Sequence, residues 1–267
     1  MQTVIAAAVQ LISTPVVSEN LATAGRLIAQ AAAEGAQIVA VPEYFAIMGK
    51  DPRDKIAVRE MPGNGPIQDF LAQTAARHGI WLVGGTVPLE ASVPDKVRNS
   101  TLVYDPQGNL AARYDKIHLF GFDNGDEHFA EADTIEAGNE VVTFTTPFGR
   151  VGLSICYDLR FPELFRTPGE VDIWFLPSAF TATTGKAHWE PLIRARAIEN
   201  QCFFVAPGQG GMHVTGRETH GHSMIVDPWG QILAQRDNGN GVVIAELKAS
   251  QSERVRRILP ALRHRIL

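Results

Sequence analysis

The feature that most constrains this chain is the alternation of short apolar runs with longer helical patterns. Residues 4–9 and 37–41 are rich in Val, Ile and Ala, and an Ala-rich helical pattern at residues 18–34 lies between them. The sequences DPQGN at 105–109 and DPWG at 227–230 are turn signatures that join hairpins. Alternating strands and helices combined with hairpins predict the α/β class, with mixed sheets covered by helices.

The whole chain follows this pattern. The predicted strands cover residues 4–9, 37–41, 80–84, 99–104, 110–118, 141–144, 151–155, 172–176, 202–206, 223–226, 231–234 and 242–246. The predicted helices cover residues 18–34, 66–78, 186–200 and 251–258. Neither an internal repeat nor a linker-like segment interrupts them, so we expect a single domain over residues 1–267. The stretch 121–139 has no predicted element, and loops of that length in compact domains are typically functional or disordered.

The composition restricts the partners of the protein. The 267 residues are 45% hydrophobic and 20% charged with a net charge of −5, which is typical of a soluble protein and gives no reason to expect nucleic acid. The chain has neither a signal-peptide pattern at its start nor an apolar run near the ~18 residues of a membrane span, so we expect a cytoplasmic protein without membrane contact. A short basic tail predicts a solvated or interface-forming segment, with arginines at Arg254, Arg256, Arg257, Arg263 and Arg265.

A cysteine stands at a predicted strand-to-helix junction in GLSICYDLR, residues 152–160. The apolar run before Cys156 indicates a buried strand, and Pro162 suits the first turn of a helix. Unpaired N–H groups at such a junction can lower a thiol pKa, which would make Cys156 a reactive nucleophile. The alternative is a small apolar core residue, the role that we expect for Cys202. Two cysteines in a chain of this length do not suggest a disulfide framework.

Two further reactive side chains occur at or near strand ends, the usual location of α/β active sites. Glu43 follows an apolar strand and a proline, and Lys116 lies within an otherwise apolar and aromatic strand. Taken singly, Glu43 fits a solvated loop carboxylate, and Lys116 fits a lysine that extends its ammonium to water. Together with Cys156 they form a complete set for covalent acyl transfer, namely a nucleophile, a general base and an oxyanion-stabilising cation.

The motifs around these residues resemble the nitrilase, or carbon–nitrogen hydrolase, superfamily over essentially the whole chain. The matching motifs are VPEYF at 41–45, YDKIHLF at 114–120, GLSICYDLRFPEL at 152–164, FAEADTIEAG at 129–138, PSAFT at 177–181, HWEPLIRARAIENQCFFVAP at 188–207 and GHSMIVDPWG at 221–230. The resemblance implies a four-layer αββα sandwich that forms a homodimer. The helix after the nucleophile and the arginine-rich tail are the expected contact elements.

The resemblance also implies a mechanism. Glu43 is the general base, Cys156 is the nucleophile that forms a thioester, and Lys116 with the backbone N–H of Tyr157 binds the oxyanion. Glu131 orients Lys116 and the substrate amide or assists proton transfer. No cofactor is implied.

The closest resemblance is to the small amidase branch, which acts on deaminated glutathione and on α-keto amides. A small linear amide that carries carboxylates and releases ammonia is therefore the expected substrate. An N-carbamoyl hydrolase, a nitrilase and a catalytically silent binding subunit are the alternatives. Such a substrate needs a cation besides Lys116, and we expect it on the helix at residues 186–196. The candidate substrate contacts are Phe180, Thr181, His188 and Arg194.

Two other clusters have less reactive interpretations. We expect a supporting ion-pair network in the nucleophile motif, formed by Asp158, Arg160 and Glu163. Three histidines suggest a metal site, His213, His220 and His222, of which the last two would share one face of a strand. We expect no metal, because the proposed chemistry already has a cation for the oxyanion.

Overall fold

The computed structural model describes residues 1–266, which form seventeen strands, six α-helices and three 3₁₀ helices. The strands are, in chain order, β1 (Val4–Gln10), β2 (Ile38–Ala40), β3 (Trp81–Val83), β4 (Val87–Glu90), β5 (Val97–Tyr104), β6 (Leu110–Asp115), β7 (Gly121–Asp123), β8 (His128–Ala130), β9 (Thr143–Thr146), β10 (Gly149–Leu153), β11 (Ile173–Phe175), β12 (Phe203–Ala206), β13 (Gly210–Met212), β14 (Glu218–His220), β15 (Ser223–Val226), β16 (Ile232–Arg236) and β17 (Gly241–Leu247). The α-helices are α1 (Val17–Ala33), α2 (Asp54–Ala57), α3 (Pro66–His78), α4 (Pro162–Arg166), α5 (Ala182–Asn200) and α6 (Ala249–Ile258), and the 3₁₀ helices are Glu131–Asp133, Cys156–Arg160 and Ala261–His264.

Two mixed sheets form the centre of the fold. The first has the strand order β17-β1-β2-β3-β5-β4, with β6 paired to β5, and β1, β2 and β3 are parallel. The second has the order β16-β15-β12-β11-β10-β9, and β10, β11 and β12 are parallel. Two small hairpins, β7–β8 and β13–β14, lie outside both sheets.

The alternation of side chains along β1 explains the layers. Ala7 and Val9 pack with the buried faces of α1 and α3, whereas Ala6 and Ala8 pack with residues of the second sheet. On the other side of the second sheet, α5 contributes buried residues such as Trp189 to the same core. The order helix, sheet, sheet, helix confirms the predicted αββα sandwich.

Several boundaries differ from the sequence-based expectation. Strand β6 ends at Asp115, so Lys116 lies just beyond the strand rather than within it. The segment 121–139 is not irregular throughout, because it contains the β7–β8 hairpin and a 3₁₀ turn. Helix α5 begins at Ala182, earlier than predicted, because the Thr181 hydroxyl caps it by accepting a hydrogen bond from the Thr184 amide. Within residues 1–266, no helix has the length and apolar character needed to cross a membrane.

Candidate active site

Glu43 is fixed in the interior by three hydrogen bonds. It lies in the loop after β2 and is 1% exposed. Its Oε1 accepts hydrogen bonds from Lys116 Nζ at 2.8 Å and Asn99 Nδ2 at 2.9 Å. Its Oε2 accepts one from the backbone amide of Ala179 at 3.0 Å. A buried carboxylate held in this way has a single orientation.

Lys116 lies between two carboxylates and is fully buried. Its Nζ donates to Glu43 and also to both oxygens of Glu131, at 3.0 and 2.8 Å. Burial opposes the ammonium charge, but Glu131 and Glu43 outweigh it and raise the pKa of Lys116. Lys116 is therefore a permanent cation at neutral pH.

Glu131 is held by groups from two other segments. The hydroxyl of Tyr44 donates to its Oε1 at 2.7 Å, and the amide of Phe120 donates to its Oε2 at 2.8 Å. Burial alone would raise the pKa of Glu131, yet the Lys116 ammonium and these donors hold it below its usual range. The 121–139 segment thus delivers a charged carboxylate to the site.

Cys156 occupies the turn after β10, on the second sheet. It has a positive φ of 49°, a conformation that few residues other than glycine adopt, and it is 8% exposed. Its amide donates to the Pro177 carbonyl, whereas the next amide, that of Tyr157, donates to no group within residues 1–266. Burial, followed by the Glu43 carboxylate, raises the pKa of Cys156 well above its usual value. The thiol is thus protonated at neutral pH.

The nucleophile turn is anchored through Asp158, which is fully buried. Asp158 Oδ2 accepts hydrogen bonds from Tyr114 Oη at 2.6 Å and from the Ile155 amide at 2.8 Å. Its Oδ1 accepts one from the His118 amide at 3.0 Å and lies 2.7 Å from His118 Nδ1. Asp158 therefore links the turn on the second sheet to the end of β6 on the first.

The expected ion-pair network among Asp158, Arg160 and Glu163 is wrong. Arg160 lies 3.2 Å from His188 Nδ1 and packs over two aromatic rings. Within residues 1–266, neither Arg160 nor Glu163 makes an ion pair. Asp158 and Arg160 are two positions apart on the 3₁₀ helix and so point in different directions, and Glu163 lies on a separate helix, α4.

Two cavities meet at Phe120, which lines both. The narrow cleft contains Cys156, and its other lining residues are Tyr157, Arg160, Ala179, Phe180, Thr181 and Thr184. The second cavity, of about 580 Å³, contains Glu131 and Tyr44 in its wall and lies within the size range of small-molecule sites.

The predicted substrate contacts are only partly brought together. Phe180 and Thr181 line the cleft with Cys156, and His188 contacts it through Arg160. Arg194 lies elsewhere, since its guanidinium binds the Gly230 carbonyl and Glu190. The expectation of a substrate cation at Arg194 is therefore corrected: α5 turns this residue away from the cleft.

The histidines have other roles. His213 lies 2.9 Å from the Ser13 carbonyl and 2.8 Å from the Thr219 hydroxyl. The rings of His220 and His222 stack with their centroids 4.4 Å apart. In the part of the chain that the structure describes, no three side chains of metal-ligating type converge.

Several residues at the site were not singled out from the sequence. Tyr44 belongs to the VPEYF motif, so its position was a usable signal. Asn99, Lys55 and Arg217 lie in segments whose pattern gives no indication of a site, and only the tertiary structure brings them to it.

Comparison with known proteins identifies the family. The chain belongs to the carbon–nitrogen hydrolases, whose family profile matches residues 5–257. It is 41% identical over 272 residues to the deaminated glutathione amidase of Synechocystis sp., and the alignment covers 100% of this chain and 99% of the relative. It is 38% identical over 260 residues to the omega-amidase NIT2 of Xenopus tropicalis, covering 96% and 93%. The crystal structure of Saccharomyces cerevisiae Nit3, a member of branch 10 of the nitrilase superfamily, superposes with a TM-score of 0.87 at 31% identity, covering 97% of this chain and 95% of that one.

Proposed function

We propose that the protein hydrolyses the amide of an anionic, deaminated-glutathione-like substrate through a thioester on Cys156. The observation that carries this proposal is the position of Ala179, which is bonded to Glu43 and lies at the cleft with Cys156. The Ala179 amide donates to Glu43 Oε2 at 3.0 Å, and Ala179 lines the same narrow cleft as Cys156. A base, a thiol and the Lys116 ammonium thus face one point from two sheets.

The proposed reaction begins with a neutral thiol. Glu43 takes the proton of Cys156 as the sulfur attacks the amide carbonyl carbon, and the oxyanion accepts hydrogen bonds from Lys116 and the Tyr157 amide. The intermediate collapses, the carbon–nitrogen bond breaks, and the amine leaves with the proton from Glu43. Glu43 then deprotonates a water molecule that attacks the thioester carbonyl. The carbon–sulfur bond breaks, the carboxylic acid product is released, and the proton held by Glu43 returns to the Cys156 sulfur. Glu131 keeps Lys116 charged and in place.

The nitrogen compound that is released depends on the substrate. Deaminated glutathione joins an α-ketoglutaryl group to cysteinylglycine, so cleavage at that amide releases the dipeptide. The shorter α-ketoglutaramate has the same acyl group and releases ammonia. An assay for α-ketoglutarate detects both reactions, whereas an ammonia assay detects only the second.

The position of Arg160 favours a substrate whose acyl group carries a carboxylate. Its guanidinium lines the cleft that contains Cys156 and has no carboxylate partner within residues 1–266. A carboxylate on the acyl group would supply that partner through a charge-assisted hydrogen bond. A nitrile needs no such cation, and nothing in the cleft favours one.

A substrate panel tests the proposal. It compares deaminated glutathione, α-ketoglutaramate, N-carbamoyl amino acids and simple nitriles by kcat/KM, with product formation followed by mass spectrometry. We expect deaminated glutathione to have the highest value and nitriles to give almost no turnover. A nitrile or carbamoyl compound at the head of the panel would contradict the substrate class.

We also infer a cytoplasmic setting. Both cysteines are free thiols, and reducing conditions keep a thiol nucleophile available.

A further inference from the structure

The 580 Å³ cavity is lined by two partly buried cations that the proposed mechanism does not use. These are Lys55, on α2, and Arg217, at the turn between β13 and β14. Within residues 1–266, neither has a carboxylate within ion-pair distance. Because burial disfavours an unpaired charge, an anionic group of a ligand would be a favourable partner for both side chains.

Lys55 is partly buried beside the catalytic groups. Its ammonium donates to the Thr134 hydroxyl at 3.1 Å and lies 5.4 Å from the centroid of the Tyr44 ring. Burial, opposed by the Glu131 carboxylate and reinforced by Lys116, lowers the pKa of Lys55 to about 8. Within residues 1–266, the neutral Thr134 hydroxyl is the only hydrogen-bond partner of the ammonium, so its other donors remain available to a ligand.

Arg217 approaches the same cavity from the opposite loop. One guanidinium nitrogen donates to the Ala179 carbonyl at 3.2 Å, and the group lies 5.2 Å from the centroid of the Phe129 ring. Its Nε is buried and has no hydrogen-bond partner within residues 1–266. A buried guanidinium donor without an acceptor is costly, so the hydrogen bonding of Arg217 within residues 1–266 is incomplete.

The acidic residues of the cavity do not form ion pairs with these two cations. Glu131 is bound by Lys116, and Glu127 accepts a hydrogen bond from the Thr183 hydroxyl at 2.6 Å. The remaining carboxylates, Asp51, Asp133 and Glu218, are exposed at the mouth. Within residues 1–266, neither Lys55 nor Arg217 is therefore committed to a carboxylate of the chain.

The chemistry determines which part of a substrate enters this cavity. The acyl carbon bonds to Cys156, so the acyl group occupies the cleft that contains Arg160. The amine must face Glu43, which returns its proton, and the neighbouring Glu131 forms part of the wall of the larger cavity. The leaving group thus extends towards Lys55 and Arg217.

We propose that Lys55 and Arg217 form a subsite for a carboxylate carried by the leaving group. The subsite favours amides whose amine portion ends in a carboxylate, as cysteinylglycine does, over amides that release ammonia. This inference rests on the proposed amidase function. It identifies the leaving group as the part of the substrate that determines specificity.

Two substrates with one acyl group provide the test. Deaminated glutathione and α-ketoglutaramate form the same thioester, so they differ only in the leaving group. We expect Lys55→Gln to lower the ratio of their kcat/KM values by about 10-fold or more, as the loss of a hydrogen bond between charged groups would. Lys55→Arg keeps the cation and should retain most of the ratio. Lys50→Gln removes an exposed lysine at the same mouth and is the matched control.

A second measurement changes the ligand instead of the protein. Amidation of the glycine carboxylate should lower kcat/KM about 10-fold in the wild type and much less in Lys55→Gln, because both changes remove the same contact. Equal losses on both substrates in Lys55→Gln, or full activity on the amidated compound, would overturn the subsite. If the wild type hydrolyses neither parent compound, the proposed function itself fails.

Discussion

At the scale of single residues, the proposed nucleophile Cys156 is a neutral thiol beside the carboxylate of Glu43, the proposed base. Burial and the Glu43 carboxylate raise the pKa of Cys156, while Lys116 and the Ala179 amide lower it. In the proposed mechanism, the thiolate therefore forms by transfer of the proton to Glu43 during attack and is not present beforehand.

Replacement of Cys156 tests the nucleophile. Cys156→Ala should reduce turnover by at least about 10³-fold, because no other group can form the thioester. Cys202→Ala, a matched change at a buried cysteine of the core, should retain activity. Mass spectrometry of the wild type with a slow substrate should place an acyl adduct on the peptide with Cys156. An adduct on Cys202 would overturn the assignment.

Replacement of Glu43 separates two effects of the carboxylate. Glu43→Gln should reduce kcat about 10²- to 10⁴-fold through loss of the general base. The same change removes a negative charge that raises the pKa of Cys156, so the thiol pKa should fall. The pH dependence of iodoacetamide alkylation measures the second effect. An unchanged or higher thiol pKa in the variant would argue against the electrostatic coupling.

The pKa of Lys55, about 8, predicts a pH-dependent preference. As the pH rises from about 7 to 9, Lys55 loses its charge, and the preference for deaminated glutathione over α-ketoglutaramate should decline. The measurement uses an S-methylated form of deaminated glutathione, so that ionisation of the substrate thiol cannot contribute to the change. Lys55→Arg should show no decline, because a guanidinium stays protonated. A flat wild-type ratio over this range would contradict the prediction.

At the scale of elements, Asp158 holds the nucleophile turn against the segment after β6. Four donor contacts converge on its two oxygens, from Tyr114, Ile155 and His118. This network joins the turn with Cys156 to the segment with Lys116. The position of Cys156, the proposed nucleophile, therefore depends on the buried carboxylate of Asp158.

Asp158→Asn should lower the free energy of unfolding by about 3 kcal/mol. The NH₂ group of the asparagine would face hydrogen-bond donors that now donate to a carboxylate oxygen, so those donors would lose their acceptor. Urea denaturation measures this change. Glu163→Gln is the matched control, an exposed carboxylate whose replacement should change stability by less than about 0.5 kcal/mol. Similar values for both variants would show that the Asp158 network contributes little.

Local patterns made many of the strands and helices predictable and drew attention to the candidate site residues, but they did not predict the contacts between side chains. The period of apolar residues indicated β1, α1 and α3, and the motifs singled out Glu43, Lys116 and Cys156. Strands such as β4 and β13 were missed, because Pro88 in β4 and two glycines in β13 are residues that strand interiors usually lack.

The contacts of Arg160 and Arg194 were assigned incorrectly for a different reason. The direction of a long side chain on a helix is set by tertiary packing. For the same reason, the sequence did not predict that Lys55 and Arg217, which lie in separate segments of the chain, would line one cavity.

At the scale of the whole molecule, we propose a homodimer. Apolar side chains are exposed around the end of α6 and the adjacent part of α5, including Ile258 at 55%, Leu259 at 47% and Ile198 at 46%. Parts of the arginine-rich tail, in contrast, bind their own chain, as Arg256 does at Asp172. A cluster of exposed apolar side chains of this kind is typical of a surface through which two copies of a chain associate.

Light scattering at micromolar concentration should give twice the chain mass of 29.1 kDa. The double variant Ile258→Asp with Leu259→Asp should give a monomer, because a charge in an apolar interface is costly. Leu110→Asp alters an equally exposed residue on β6 and should remain a dimer. A strictly monomeric wild type would contradict the proposal.

The pairing of β1 has a consequence for the synthesis of the protein. β1 pairs with β2 on one side and, over seven residue pairs, with β17 on the other. While the ribosome is still translating the chain, that second edge of β1 has no partner until residues 241–247 have emerged. Unpaired strand edges promote aggregation. A nascent chain that stops before residue 241 would therefore yield insoluble material and not a shorter enzyme.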